Sequence, residues 1–354
     1  MKIGLFGLPQ SGKTTLFNAL TGSNASVAGY SSKIEPNISV VKVLDPRIDF
    51  LSSMYTPKKT TYATIEIVDV AGLTEESLKQ DTFSVELMRI IRNVDALAIV
   101  LRGFNSDLSG PPSITNELQK IEEELILADQ IVLEKRLDKL KEGHKKGKKN
   151  DTSGIEEPLL DRLIDHLSNN LPVRDLEFSS AELPLIRGFQ LFTLKPALTI
   201  LNTDEEHYGK NSEEITRISE RYQVVEFAGN FEMELSNLDK DEARLFMDDM
   251  GIEESARSTL SKSAFEILGY ISFFTVGADE VRAWNIKRGA NAVTAAGAIH
   301  SDLARGFIAA ECFSFDNLKE SGSEKAVKEH GKFHLVGKDY LVQDGDILSI
   351  RFNV

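Results

Sequence analysis

Short apolar runs alternate with stretches of helical spacing through the first two-thirds of the chain. Residues 2–6 form a β-type run, and from Lys13 the apolar positions Leu16, Phe17, Ala19 and Leu20 predict a helix. After a polar stretch, residues 38–43 and 62–68 predict strands, the second with Ile65 and Ile67 alternating against polar neighbours. A helix over 83–92 and a buried strand over 96–101 follow, and later strands are predicted at 197–201 and 224–227. Strands alternating with helices imply right-handed crossovers and a mainly parallel sheet covered on both faces, an α/β fold.

Two stretches break this rhythm. Within 113–180, Leu118, Ile121, Leu125, Ala128 and Val132 keep a 3-4 spacing, and a second stripe runs through Leu160, Leu163 and Leu167. A polar stretch at 143–154 separates them, which predicts an antiparallel helical hairpin. Residues 239–268 are expected to be helical. The last 85 or so residues change character. Short strands at 271–276, 333–335, 339–342 and 347–352 alternate with turns such as Asp344-Gly345-Asp346, the pattern of a small α+β domain.

Composition narrows the function classes. A chain of 354 residues, 41% hydrophobic and 27% charged, is globular and long enough for two or three domains. No run reaches the ~18 apolar residues of a membrane span, and the first residues read as a strand, not a signal peptide. The single cysteine, Cys312, excludes an internal disulfide framework, so a cytoplasmic setting is expected. The lone Trp284 is expected in core or interface packing. The net charge of −14 excludes a protein that coats nucleic acid with its whole surface, so any polyanion contact needs a local patch. Residues 135–149 hold eight Lys/Arg against Asp138 and Glu142. They read either as a solvated loop or as an arm tip touching RNA phosphate.

The densest chemistry is at the start. Gly7-Leu8-Pro9-Gln10-Ser11-Gly12-Lys13-Thr14 is a complete G-x-x-x-x-G-K-[ST] phosphate loop between a strand and a helix, followed by Thr15. Gly7 and Gly12 let the backbone turn its N–H groups toward phosphate oxygens. Lys13 is placed to reach the β- and γ-phosphates, and the Thr14 hydroxyl to ligate Mg²⁺. Asp69-Val70-Ala71-Gly72 ends a predicted strand 56 residues after Lys13. There Asp69 can hold Mg²⁺ through water, and the Gly72 N–H can sense a γ-phosphate.

These motifs converge on one family. The chain resembles the Obg-like ATPases of the YchF group over essentially its whole length. The resemblance rests on residues 7–15, Ile34-Glu35-Pro36-Asn37, Asp45-Pro46-Arg47, Asp69-Val70-Ala71-Gly72-Leu73 and Phe192-Thr193-Leu194-Lys195-Pro196. Val281-Arg282-Ala283-Trp284, Gly337-Lys338-Asp339-Tyr340 and Arg351-Phe352-Asn353-Val354 complete it. It implies a P-loop G domain (1–112 and 181–268), a helical coiled-coil insertion (113–180) and a C-terminal TGS domain of β-grasp type (269–354). It also implies ATP preference, association with the ribosome or ribosomal RNA, and a monomer.

The ATP preference has a physical reading. In GTPases the last residue of N-K-x-D is an Asp that accepts two hydrogen bonds from guanine. Here the loop is Asn202-Thr203-Asp204-Glu205, with Glu205 at that place. Adenine has no N1–H donor, so the missing Asp leaves nothing unpaired. Asn202, Glu205, Ala228 and Gly229 are the expected base-side residues, unless 204–206 is only an acidic turn.

The chain also departs from the family. Gln10-Ser11 stands where Asn-Val is usual, and Lys33 where a Thr completes the Mg²⁺ shell; either Ser31 or Ser32 substitutes, or the Lys33 ammonium meets the phosphates directly. Residues 74–80 lack glycine, and the His expected within 105–113 has no counterpart; Leu73 is as in the family, so the water-positioning Gln of small GTPases is absent too. All these departures fall on hydrolysis and switching. A divergent ATPase with slow or partner-dependent hydrolysis is therefore expected. The alternatives are a nucleotide-gated binding protein with little hydrolysis, and a conventional GTP-binding switch.

Overall fold

The computed structural model describes residues 1–22, 36–69, 85–105, 110–146, 153–235, 238–249, 252 and 254–353. Twelve strands lie among them. They are β1 (Lys2–Phe6), β2 (Asn37–Lys42), β3 (Lys59–Thr61), β4 (Thr64–Asp69), β5 (Ala96–Arg102), β6 (Ala197–Thr203), β7 (Gln223–Ala228), β8 (Tyr270–Thr275), β9 (Glu280–Lys287), β10 (Phe307–Ser314), β11 (His334–Val336) and β12 (Asp346–Phe352). They form two six-stranded sheets, ordered β2-β4-β1-β5-β6-β7 and β11-β10-β12-β8-β9-β3. The chain divides into two compact units, Met1–Ser39 with Glu66–Thr259, and Val40–Ile65 with Leu260–Val354.

In the first unit β1 pairs parallel with β4 on one side and β5 on the other, and β5, β6 and β7 continue parallel. This is the α/β P-loop architecture expected from the strand–helix alternation. Every residue of β5 is buried, as a central strand covered on both faces must be. Phe6, Leu97, Ile99 and Leu101 share a core with Ile114, Leu118, Ile121 and Leu125 from the base of the long helix Ile114–Lys145. Farther along, Leu133, Leu137 and Leu140 pack against Leu159, Leu160, Leu163 and Leu167 of the helix Ser153–Ser168. The predicted helical arm is therefore present, although helix already covers part of the polar stretch that was expected to separate its two halves.

A buried carboxylate ties this arm to the sheet. Asp129, on the long helix, accepts from the Phe192 N–H at 2.9 Å, the Thr193 N–H at 2.7 Å and the Thr193 hydroxyl at 2.8 Å. Burial pushes its carboxyl up to about 6, against the pull of these donors and of the Arg92 charge. Lys195 donates to the carbonyls of Arg92 (2.9 Å) and Val94 (2.6 Å), closing the C-terminal end of the helix Val85–Arg92. The 192–196 motif is thus a brace that sets where β6 begins.

Residues 239–268 are helical as expected, in two pieces. These are the helices Lys240–Asp249 and Ala256–Ile267, and the buried Glu232 carboxylate takes the Ala256 N–H at 2.6 Å to start the second.

The second unit is α+β, and its sheet is larger than the sequence pattern predicts. β9 and β10 were not expected, whereas 339–342 is not a strand. There Tyr340 N–H closes a turn onto Gly337, and Leu341 makes only an isolated bridge to Asn291. Trp284 packs at the edge of this unit's core, stacked on Phe273, with its indole N–H on Thr275. Residues 40–65, read from sequence as part of the N-terminal portion, cluster with this second sheet.

Replacing Asp129 by Ala leaves two buried N–H donors unpaired, at about 1–3 kcal/mol each. The expected result is a lower urea midpoint with an unchanged slope, a loss of about 2–6 kcal/mol.

Candidate functional site

The register of the first sheet assembles the site. Leu5 of β1 lies beside Asp69, the last residue of β4, and Asn202 of β6 lies beside Arg102 and Phe227. The C-terminal strand ends therefore deliver the phosphate loop, Asp69, Asn202 and Ala228 to one edge of the sheet. The order around β1 reverses there, which is where open α/β sheets bind ligands.

Gly12 caps the helix Lys13–Thr21 at φ 89°, and a Cβ there would stand 1.9 Å from Asn202 Nδ2. Only glycine fits. Asn202 Nδ2 donates to the Ser11 carbonyl at 2.9 Å, so the base-side strand braces the loop from below. Gln10 holds φ 62° at the loop's exposed turn, a left-handed position filled without glycine. The buried Ser11 hydroxyl has no hydrogen-bond partner among the described residues. Leu8 and Pro9 are half-buried along the loop.

Lys13 Nζ donates to the carbonyls of Gly7 (3.0 Å) and Leu8 (2.7 Å). Burial pulls its ammonium down to about 8, opposed by the charges of Asp69 and Glu117. The Thr14 hydroxyl donates to Asp69 Oδ2 at 3.1 Å. Asp69 is fully buried, and burial raises its pKa against hydrogen bonding from Thr14, the Lys13 charge and the Asn37 side chain. Its Oδ1 has no hydrogen-bond partner among the described residues.

On the base side, a Cβ on Gly229 would lie 3.0 Å from Thr15 Cγ2 and 3.3 Å from Asn202 Oδ1, so the start of the helix Gly229–Leu235 closes against both. Ala228 is buried beside it. Asp204 Oδ1 accepts from the His207 N–H at 2.9 Å and sits 2.5 Å from His207 Nδ1, which commits that carboxylate to its own turn. Glu205 is exposed on the same turn. The structure thus brings together residues 7–15, Asp69, Asn202, Ala228 and Gly229. Gly72, Leu73, residues 31–35 with Lys33, residues 74–80, residues 106–109 of the segment expected to carry His, and the tip lysines 148 and 149 lie outside the described residues.

Two contributors carry no sequence signal of their own. Glu117 opens the long helix, accepts the Arg102 N–H at 3.2 Å and sets part of the field at Lys13. Asn37 reaches Asp69 from the start of β2.

A glycine-turned loop under a helix N-terminus, with a lysine and a threonine hydrogen-bonded to a buried aspartate beside it, defines the P-loop nucleotide-binding class. Residues 2–136 match the family described as 50S ribosome-binding GTPase, and residues 270–353 match YchF-GTPase_C, described as a protein of unknown function. The chain is 36% identical to the ribosome-binding ATPase YchF of Bacillus subtilis, over 99% of both chains. It is 39% identical to that of Buchnera aphidicola subsp. Schizaphis graminum, over 100% of this chain and 99% of the other. The structure of the Schizosaccharomyces pombe YchF GTPase superposes with a TM-score of 0.87 at 28% identity, covering 99% of this chain and 97% of that one. The chain belongs to the YchF family.

Two outcomes follow from this geometry. Gly12→Ala forces the loop off Asn202 and is expected to abolish nucleotide binding measured by fluorescent-analogue titration. Phosphates favour the charged Lys13, so affinity is full below pH 8 and falls as pH rises past it, by up to about tenfold per unit. Titrations at pH 7 and 9.5 check this, and equal affinity at the two would contradict it.

Proposed function

We propose that this protein is a Mg²⁺-dependent nucleoside triphosphatase that prefers ATP to GTP and acts on the ribosome. The observation that carries the proposal is the buried Asp69 carboxylate, one oxygen on Thr14 and the other without a partner, beside a phosphate loop that only Gly12 permits. An uncompensated buried carboxylate oxygen is costly, and a divalent cation is the partner this donor set suits. Thr14 and Asp69 would hold Mg²⁺, the latter through water; when bound, the ion neutralises charge on the β- and γ-phosphates.

The chain's own groups supply the rest. The N–H groups of residues 10–15 cradle the phosphates at the helix N-terminus. Lys13, already aimed along the loop, exchanges its carbonyl partners for phosphate oxygen. Gly72 is assigned the γ-phosphate contact. The base lies against Asn202, Ala228 and Gly229, with Glu205 at the rim.

ATP preference is supported by the base side. Asp204 is held by His207, and Glu205 occupies the place of the guanine-reading Asp. The relatives' names include both ATPase and GTPase, so the nucleotide is settled by competition. Ribosome association is supported by the relatives named for it and by the exposed Lys135, Lys139, Lys141, Lys145 and Lys146 toward the end of the long helix. No helix among the described residues is long and apolar enough to cross a membrane. A monomer working in the cytoplasm fits this reading.

The test is competition of ATP and GTP for the site, followed by single-turnover hydrolysis with and without ribosomes. ATP is expected to bind tighter, Lys13→Ala to bind neither, and ribosomes to accelerate hydrolysis. Tighter GTP binding overturns the base assignment. Tight ATP binding without hydrolysis under either condition leaves a nucleotide-gated binding protein instead.

A further inference from the structure

We infer that the stretch between Asn37 and Asp69 is a mechanical link through which nucleotide occupancy and the order of the C-terminal unit control each other. The inference rests on the proposed nucleotide site and goes beyond it.

The chain leaves the site at Asn37, the first residue of β2, which lies beside β4 in the first sheet, and returns to it at Asp69, the end of β4 and the partner of Thr14. Between those two points it does not stay in the first unit. The boundary falls after Ser39 on the way out and before Glu66 on the way back, inside β2 and inside β4. The ends of this stretch continue β2 and β4 of the first sheet, while its middle, the helix Pro46–Tyr55 and β3, clusters with the second.

The anchoring is extensive. β3 forms the edge strand beside β9, with Lys59, Thr60 and Thr61 paired to Glu280, Val281 and Arg282. Lys58 N–H donates to the Ala278 carbonyl at 3.0 Å, and the Thr61 hydroxyl to Glu280 at 2.6 Å. On the helix Pro46–Tyr55, Arg47 donates to both oxygens of Asp344, at 2.7 and 3.3 Å, and to Asp45. Its guanidinium lies 5.2 Å from the centre of the Phe274 ring, and Asp344 in turn takes the Ser272 N–H at 2.9 Å. Phe50 meets Phe315 edge-on, and the Tyr55 hydroxyl donates to Glu324 at 2.6 Å. Ile48 and Leu51 of the same helix are fully buried.

β2 and β4 run without a break from the site into this anchored stretch. A ligand that changes the Thr14–Asp69 contact at the end of β4 therefore acts on the second sheet, and loosening that sheet acts back on ligand affinity by the same factor. Arg47 is the positioning residue of this link, because one side chain joins the inserted helix to Asp344 and Phe274.

The experiment is hydrogen exchange of the full-length protein with and without saturating Mg-ATP, combined with ATP affinities. The amides to follow are Lys58, Ser272 and Gly345, whose partners all lie in the second unit. ATP is expected to change their exchange by at least about fivefold, and Arg47→Ala to weaken ATP binding by at least about fivefold. Tyr55→Phe, a gentler cut at the same helix, is expected to weaken binding in the same direction; it decides the matter if Arg47→Ala does not fold. Wild-type protein that binds ATP with unchanged exchange at all three amides overturns the inference. So does a folded Arg47→Ala variant, or failing that Tyr55→Phe, with wild-type affinity. Wild-type protein that binds no nucleotide removes the proposed function first, and this link with it.

Discussion

The structure of the site depends on one buried carboxylate. Asp69 ends β4 with one oxygen on the Thr14 hydroxyl and the other without a partner among the described residues. In a dry setting that arrangement is held only because β4 is locked to β1 in register and the phosphate loop lies immediately beyond. Burial pulls Lys13 toward neutrality and pushes Asp69 toward protonation, and each group opposes the other's shift. The pair is poised for a ligand that brings negative phosphates to one member and a cation to the other.

Around that pair, the remainder of the first unit reads as support. Asn202 holds the loop from beneath, and Gly229 lets the following helix close on Thr15. The 192–196 motif, which the sequence marked without a role, fixes the start of β6 through Asp129 and Lys195. The helical arm is thereby tied to the strand that carries Asn202. Motion of the arm and geometry of the base side share one buried anchor.

Local chemistry was legible in the sequence, and long-range membership was not. Residues 7–14 are contiguous, so the loop announces itself, and Asp69 is found because it ends an alternating strand. Asp45-Pro46 is an N-cap followed by a proline at the first helical position, so the start of the helix Pro46–Tyr55 is also written locally. That this helix belongs with the C-terminal sheet rests on Arg47 meeting Asp344 and β3 meeting β9, pairings more than 200 residues apart. No local pattern encodes them. In the last unit β10 was hidden by its alanines and by a register shift near Phe307, while 339–342 imitates a strand but folds as a turn.

The central claim is that Asp69 and Thr14 form the cation end of a nucleotide site. The most direct measurement is calorimetric titration of ATP with Mg²⁺ and with chelator, on the wild type and on Asp69→Asn, which keeps the shape and removes the charge. The account predicts that Mg²⁺ tightens wild-type binding by about tenfold or more, and that Asp69→Asn loses most of that gain. Wild-type affinity indifferent to Mg²⁺, or a full Mg²⁺ effect in Asp69→Asn, would contradict it.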